Sequence, residues 1–127
     1  MANSNGRLAG KVAVITGAGR KKGLGEAIAT RFSEEGATVV ITDIGKPSGD
    51  HLPAGNIGTS EEMEEVADGV RSSTGGTIHT MVCDVRSEDD VIRTIADTVK
   101  TCGRLDIVVN NAGIGYIMKP LMELSID

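Results

Sequence analysis

Hydrophobic residues along the chain fall into four short continuous runs, separated by three segments in which apolar positions recur every three or four residues. The runs 12–16, 38–43, 78–85 and 105–110 are rich in Val, Ile and Thr with little polar interruption, the pattern required of a strand buried on both faces of a parallel sheet. Between the first two, Leu24, Ala27, Ile28 and Phe32 sit at helical spacing and Gly36 follows as a stop. Between the second and third, Thr59 and Glu62 form a capping box ahead of Met63, Val66 and Val70, and Gly75-Gly76 breaks the segment. Between the third and fourth, Ser87 stands as the N-cap of a helix whose first turn carries Glu88, Asp89 and Asp90, where the helix dipole favours acids. Val91, Ile95, Val99 and Cys102 mark the stripe expected to be buried.

The order β-α-β-α-β-α-β, joined by right-handed crossovers, predicts an α/β, doubly wound, Rossmann-like parallel sheet with strand order 3-2-1-4. The segment 44–58 interrupts the rhythm with Gly45, Pro47, Gly49, Pro53, Gly55 and Gly58, and it reads as a surface loop longer than the usual connection. It adjoins the end of the second strand, so a flap over a bound ligand and a solvated insertion are both open to it.

Composition narrows the function classes. A chain of 127 residues is sized for one core. Its hydrophobic fraction is that of a globular protein. A net charge of −5, with Arg20-Lys21-Lys22 as the only basic run, is unsuited to nucleic acid, which needs a clustered basic surface. Residues 1–10 are polar, and no stretch reaches the ~18 apolar residues of a membrane span. Cys83 and Cys102 fit neither a redox pair nor a zinc pattern and are expected as buried thiols in a reducing compartment, consistent with a soluble cytoplasmic protein.

The chemistry is carried by the turn after the first strand, Thr16-Gly17-Ala18-Gly19-Arg20-Lys21-Lys22-Gly23-Leu24-Gly25. Glycines there let the backbone turn tightly and approach a pyrophosphate, whose charge meets backbone N–H groups and the positive end of the next helix. Twenty positions after Gly23, Asp43 ends the second strand, where a carboxylate can accept from ribose hydroxyls and repels the extra phosphate of NADP. NAD is therefore favoured over NADP. The basic run pulls the other way: it could neutralise a 2′-phosphate, contact the pyrophosphate, or be solvated. Asp84 and Val85 follow the third strand, and Asn110-Asn111-Ala112-Gly113 follows the fourth, so all four strand ends meet at the carboxyl edge where open α/β sheets bind ligands.

Taken in this order, T-G-x-x-x-G-x-G, D, D-V and N-N-A-G across nearly the whole chain resemble the short-chain dehydrogenase/reductase family, the N-N-A-G element being the most specific. The resemblance implies that residues 1–127 are the N-terminal part of a nicotinamide dinucleotide-binding domain. Gly17, Gly23 and Gly25 would line the pyrophosphate, Asp43 the ribose and Asp84 the adenine, with Gly19, Arg20, Leu24 and Val85 also among the cofactor-binding residues. Asn110, Ala112 and Gly113 would lie at the strand end near the nicotinamide ribose. The implied reaction is hydride transfer between the cofactor and a small-molecule alcohol or ketone, in a complete protein expected to be a homo-oligomer. One departure is plain: Gly17 and Gly23 are six apart, where the family's common motif has four, so two residues are effectively inserted.

The family's catalytic Tyr-x-x-x-Lys is not found. The only tyrosine, Tyr116, has Lys119 three positions on and Pro120 four on. His51 and His79 join no Ser/His/Asp or metal-ligand spacing. The catalytic Ser, Tyr and Lys are expected beyond Asp127, so this chain alone is expected to be inactive and, with an apolar fourth strand at the sheet edge, poorly soluble. The rival readings are a non-catalytic nucleotide-binding or regulatory module and a methyltransferase-like fold. The Thr-Gly opening and the N-N-A-G end count against the second, since neither is needed for S-adenosylmethionine.

Overall fold

A computed structural model describes residues 3–47, 57–114, 120 and 122. Its strands are β1 (Val12–Ile15), β2 (Thr38–Asp43), β3 (Ile78–Val82) and β4 (Ile107–Val109), and its helices are α1 (Leu24–Glu34), α2 (Ser60–Thr74) and α3 (Glu88–Cys102). All pairings are parallel and the order is β3-β2-β1-β4, as the alternation of elements predicts. Val14 sits opposite Val40 on one side and Val108 on the other. β1 and β2 are the inner strands and are buried almost throughout, which is why their runs carry no charge before Asp43 at the carboxyl end of β2.

Ile15, Val39 and Ile41 form a core with Ala29 of α1 and Met63, Val66, Ala67 and Val70 of α2. Each fully buried Val or Ile there contributes roughly 1.5–3 kcal/mol of transfer free energy. The caps form as read: Thr59 accepts from the N–H of Glu62 at 3.2 Å and Ser87 from that of Asp90 at 3.2 Å. Gly75 and Gly103 close α2 and α3 with left-handed backbone.

Three features differ from the expectations. The run 78–85 pairs only to Val82, because the Asp84 carboxylate accepts the N–H of Arg86 and the Asp84 carbonyl that of Ser87, folding the chain into a turn. At the other edge, Asp106 accepts the N–H of Val12 through its side chain, so β4 starts at Ile107 rather than Leu105. The buried residues of α3 are Thr94 and Thr98, while Ile95 and Val99 are 43% and 44% exposed and Cys102 is half-buried. α3 follows the reversal in strand order and so, with right-handed crossovers, lies on the face opposite α1 and α2. There it meets the sheet along its threonines, with the Thr98 hydroxyl donating to the Thr94 carbonyl at 2.8 Å, and the apolar stripe flanks that contact line.

The polar N-terminal segment is also part of the fold. Leu8 donates to the Glu35 carbonyl at 2.8 Å, Arg7 to the Glu35 carboxylate at 2.9 Å, and the Asn3 amide to the Glu34 carbonyl at 3.1 Å. Leu8 packs against the core. These residues satisfy the orphan carbonyls at the end of α1, and the hydrogen bonds from Arg7 hold the Glu35 carboxyl below its ordinary value.

Candidate functional site

The strand order reverses between β1 and β4, and at the carboxyl edge beside that reversal lies a cleft of about 600 Å³. Ligands of open α/β sheets bind at such a point. Gly17, Arg20, Gly23, Leu24, Asp43, Asp84, Val85, Ala112 and Gly113 line it. Gly19, Gly25 and Asn110, the remaining residues singled out from sequence, do not. Ile57, which nothing in its Gly- and Pro-rich surroundings advertised, is 2% exposed and forms part of the wall.

Two glycines of the turn are required by geometry. Gly17 has φ +65°, and a Cβ on it would fall 2.6 Å from the Ala112 Cα. A Cβ on Gly25 would fall 2.6 Å from the Ala18 Cα and 3.0 Å from the Asn111 side-chain nitrogen. Gly23, the N-cap of α1, has φ −88° and no side chain to cap the helix. The positive end of α1 is thereby left facing the cleft edge.

The turn's N–H groups do not all point to the cleft. Gly19 donates to Asp43 Oδ2 at 3.0 Å, Lys21 to Glu62 Oε2 at 2.7 Å, and Lys22 to Glu26 Oε2 at 3.1 Å. Ala18 donates to the Thr42 carbonyl at 2.9 Å. Lys22 carries φ +61°, a left-handed conformation that is uncommon outside glycine and persists where its surroundings hold it. The Lys21 ammonium pairs with Glu65, which raises its pKa. Among the described residues, Arg20 and Lys22 form no side-chain ion pair.

Asp43 is the hub of this edge. Its Oδ1 accepts from Ile44 at 2.8 Å and Gly58 at 3.2 Å, and its Oδ2 accepts from Gly19. A carboxylate has about four acceptor positions, so one remains, on Oδ2. Gly58 must be glycine to come this close, since a Cβ there would lie 2.7 Å from Asp43 Oδ2.

Asp84 faces the cleft from the β3 side, and its carboxylate accepts from Arg86, at 3.0 Å from Nε and 2.7 Å from Nη2. Those side-chain hydrogen bonds hold its carboxyl below the ordinary range. At the β4 end, the Asn111 side-chain amide donates to the carbonyls of Thr16 at 3.0 Å and Gly17 at 3.1 Å. The Thr16 hydroxyl accepts the N–H of Ala112 at 3.1 Å. The N-N-A-G segment and the glycine turn are thus a single welded unit, while Asn110 is exposed.

The arrangement offers a helix N-terminus, tightly approaching backbone and one spare carboxylate position, which suits an anionic ligand that also presents hydroxyls. Among the described residues no group of His, Cys, Asp or Glu is placed to hold a metal ion, and no helix is long and apolar enough to cross a membrane. Both cysteines are free. Tyr116, Lys119, His51 and most of the 44–58 loop lie outside the described residues.

A family model described as short chain dehydrogenase matches residues 11–127. An uncharacterized oxidoreductase, YxbG of Bacillus subtilis, is 40% identical over 123 residues, covering 96% of this chain and 38% of that protein. L-fucose dehydrogenase of Oryctolagus cuniculus is 41% identical over 120 residues, covering 94% and 35%. Among solved structures, carveol dehydrogenase from Mycobacterium avium in complex with NAD superposes with a TM-score of 0.80 at 36% identity, covering 95% of this chain and 42% of that one. The chain therefore spans well under half the length of these relatives.

Proposed function

The chain belongs to the short chain dehydrogenase family, and on that premise we propose that its cleft holds a nicotinamide dinucleotide, NAD in preference to NADP, within a protein that oxidises or reduces an alcohol or ketone. The observation that carries the reading is the meeting, in one cleft, of the uncapped N-terminus of α1 with the spare acceptor position of Asp43. A pyrophosphate suits the first, and a ribose hydroxyl the second. Arg20 and Lys22 bring further positive charge to the pyrophosphate side. Leu24, Ile57 and Val85 supply apolar wall. When bound, the nicotinamide supplies the hydride chemistry. This chain's contribution is to bind and orient it.

NADP is disfavoured because its 2′-phosphate would come beside a carboxylate in a partly dehydrated cleft. Titration of the full-length protein with both dinucleotides tests this, with NAD expected to bind at least about tenfold tighter, a difference of ~1.4 kcal/mol. Equal or tighter NADP binding would mean that the basic run dominates. A non-catalytic nucleotide-binding module would share the cofactor. NAD-linked oxidation of a panel of secondary alcohols by the full-length protein separates the two. Residues 1–127 alone are expected to give no turnover, since no group in them is assigned to move the proton.

A further inference from the structure

The capping box at the start of α2 is only half made. Thr59 takes the N–H of Glu62, but the Glu62 carboxylate does not return to Thr59 in the usual reciprocal bond. It reaches across 41 residues of sequence to the N–H of Lys21, at 2.7 Å. One helical turn further on, Glu65 pairs with the ammonium of the same lysine. Lys21 lies in the part of the glycine turn that is lengthened by two residues, next to Lys22, whose left-handed backbone is held by the Glu26 carboxylate. Both lysines line the cleft.

A lengthened turn has more backbone freedom than a short one, and a left-handed non-glycine residue in it is strained. Here that freedom is removed by carboxylates from two helices, Glu62 from α2 and Glu26 from α1. The bond to Lys21 N–H is charge-assisted and short and uses a backbone donor, so, although exposed, it costs less side-chain ordering than the Lys21–Glu65 pair of two long side chains. Lys21 is also drawn toward α2 by both of its polar groups. The neighbouring Arg20 and Lys22 side chains remain without ion-pair partners among the described residues.

We propose that Glu62 is a positioning residue for dinucleotide binding: through the Lys21 N–H it makes α2 the support that fixes the lengthened glycine turn in its binding conformation. The proposal rests on the dinucleotide reading above. It predicts that loosening this bond weakens NAD binding without any loss of a group that touches the cofactor, because the turn's ordering would then fall on the binding step.

The test compares Glu62→Ala with Glu62→Gln in the full-length protein, since a Gln oxygen still accepts from Lys21. Two measurements are made, NAD affinity by titration and amide hydrogen exchange across residues 19–25 without cofactor. Glu62→Ala is expected to weaken NAD binding roughly three- to tenfold, the loss of one such hydrogen bond, and to speed exchange at Lys21. Glu62→Gln is expected to stay within about twofold of the parent on the same scale. A Glu62→Ala protein that melts earlier but binds NAD as the parent does would overturn the proposal, leaving Glu62 a structural residue of α2. If the parent bound neither NAD nor NADP, the functional reading would fall, and with it a role in binding. The exchange data need no cofactor, and unchanged exchange at Lys21 would separately remove the support itself.

Discussion

Replacing Asp43 by Ala looks like the direct way to relax a preference for NAD, but its carboxylate is committed three times over within the fold. The N–H groups of Gly19, Ile44 and Gly58 all donate to it, at 3.0, 2.8 and 3.2 Å. Truncation orphans these donors. Bonds to a charged acceptor are worth more than neutral ones, but the site is half-open and water can reach some of the donors, so about 1 kcal/mol each is appropriate. The sum, about 3 kcal/mol, is a large share of a typical stability of roughly 5–15 kcal/mol. It should lower the melting temperature by roughly 10 °C. Asp43→Asn retains one acceptor oxygen, which can stay on Ile44 and Gly58, and turns its NH2 toward Gly19. It should lose about half as much stability while removing the charge that opposes a 2′-phosphate. The paired assay is thermal unfolding by circular dichroism and titration with NAD and NADP. Asp43→Asn should show the larger shift toward NADP and the smaller loss of stability. An Asp43→Ala protein that melts within a degree or two of the parent would refute the hub description.

The glycines of the turn should separate by geometry rather than by motif. Gly25→Ala and Gly17→Ala, each placing a Cβ 2.6 Å from a backbone Cα, should impair folding and abolish cofactor binding, whereas Gly23→Ala, with its nearest neighbour at 3.4 Å, should cost under ~1 kcal/mol in urea unfolding. Comparable losses at all three would show that crowding is not the cause. Asn111→Ala frees two carbonyls at the junction of the turn and β4 and should cost about 1–3 kcal/mol by the same measurement, an unchanged urea midpoint counting against the welded junction. Acid should destabilise the protein through Asp84, Asp90 and Asp106. Their carboxyls are held below the ordinary value of 3.8 by the Arg86 side chain, the Asp84 N–H and the Arg104 side chain respectively. Groups so lowered add stability above that ordinary value and lose it as pH falls through their folded values. The urea midpoint should therefore be level from neutrality down to about pH 5 and drop below about pH 4, less steeply in Asp106→Asn; an equal midpoint at both ends would refute the assignment.

The order of elements and the sheet topology were legible because strands buried on two faces must be continuous apolar runs, and because crossover handedness leaves few arrangements. Thr59 and Ser87 cap their helices as read, since capping is a contact over three residues with a local signature. What was not legible depends on contacts distant in sequence. Asn111 is separated by 95 residues from the Thr16 carbonyl it binds, so its neighbour Asn110 could not be told from it. Glu62 carries a capping signature that its side chain spends elsewhere. Residues 3–10 look like a polar tail until the end of α1 is placed beside them. The stripe of α3 is partly exposed within residues 1–127, because periodicity locates an apolar face but not what covers it, and here two threonines meet the sheet. Asp84 was expected to reach the adenine. It lines the cleft, and its carboxylate also bonds Arg86, two residues away, a local contact that a motif does not weigh.

The loop that follows β2 has a closed neck. Gly45 donates to the Gly58 carbonyl at 3.1 Å, Ser60 donates to the Gly45 carbonyl at 3.0 Å, and Gly58 is tied to Asp43. The two ends of the excursion are thus fixed to each other before the chain enters α2, and the register of β2 against β3 does not depend on what lies between them. Extending a loop whose ends are already joined costs little, about 0.6 kcal/mol for each doubling of its length. In evolutionary terms this is a place where the chain can gain or lose residues with small penalty, so lengths here should drift among relatives while Asp43, Gly58 and Thr59 keep their spatial relation. For the protein engineer it is the corresponding opportunity: a peptide tag or a reporter domain inserted between Lys46 and Ile57 should leave the sheet intact.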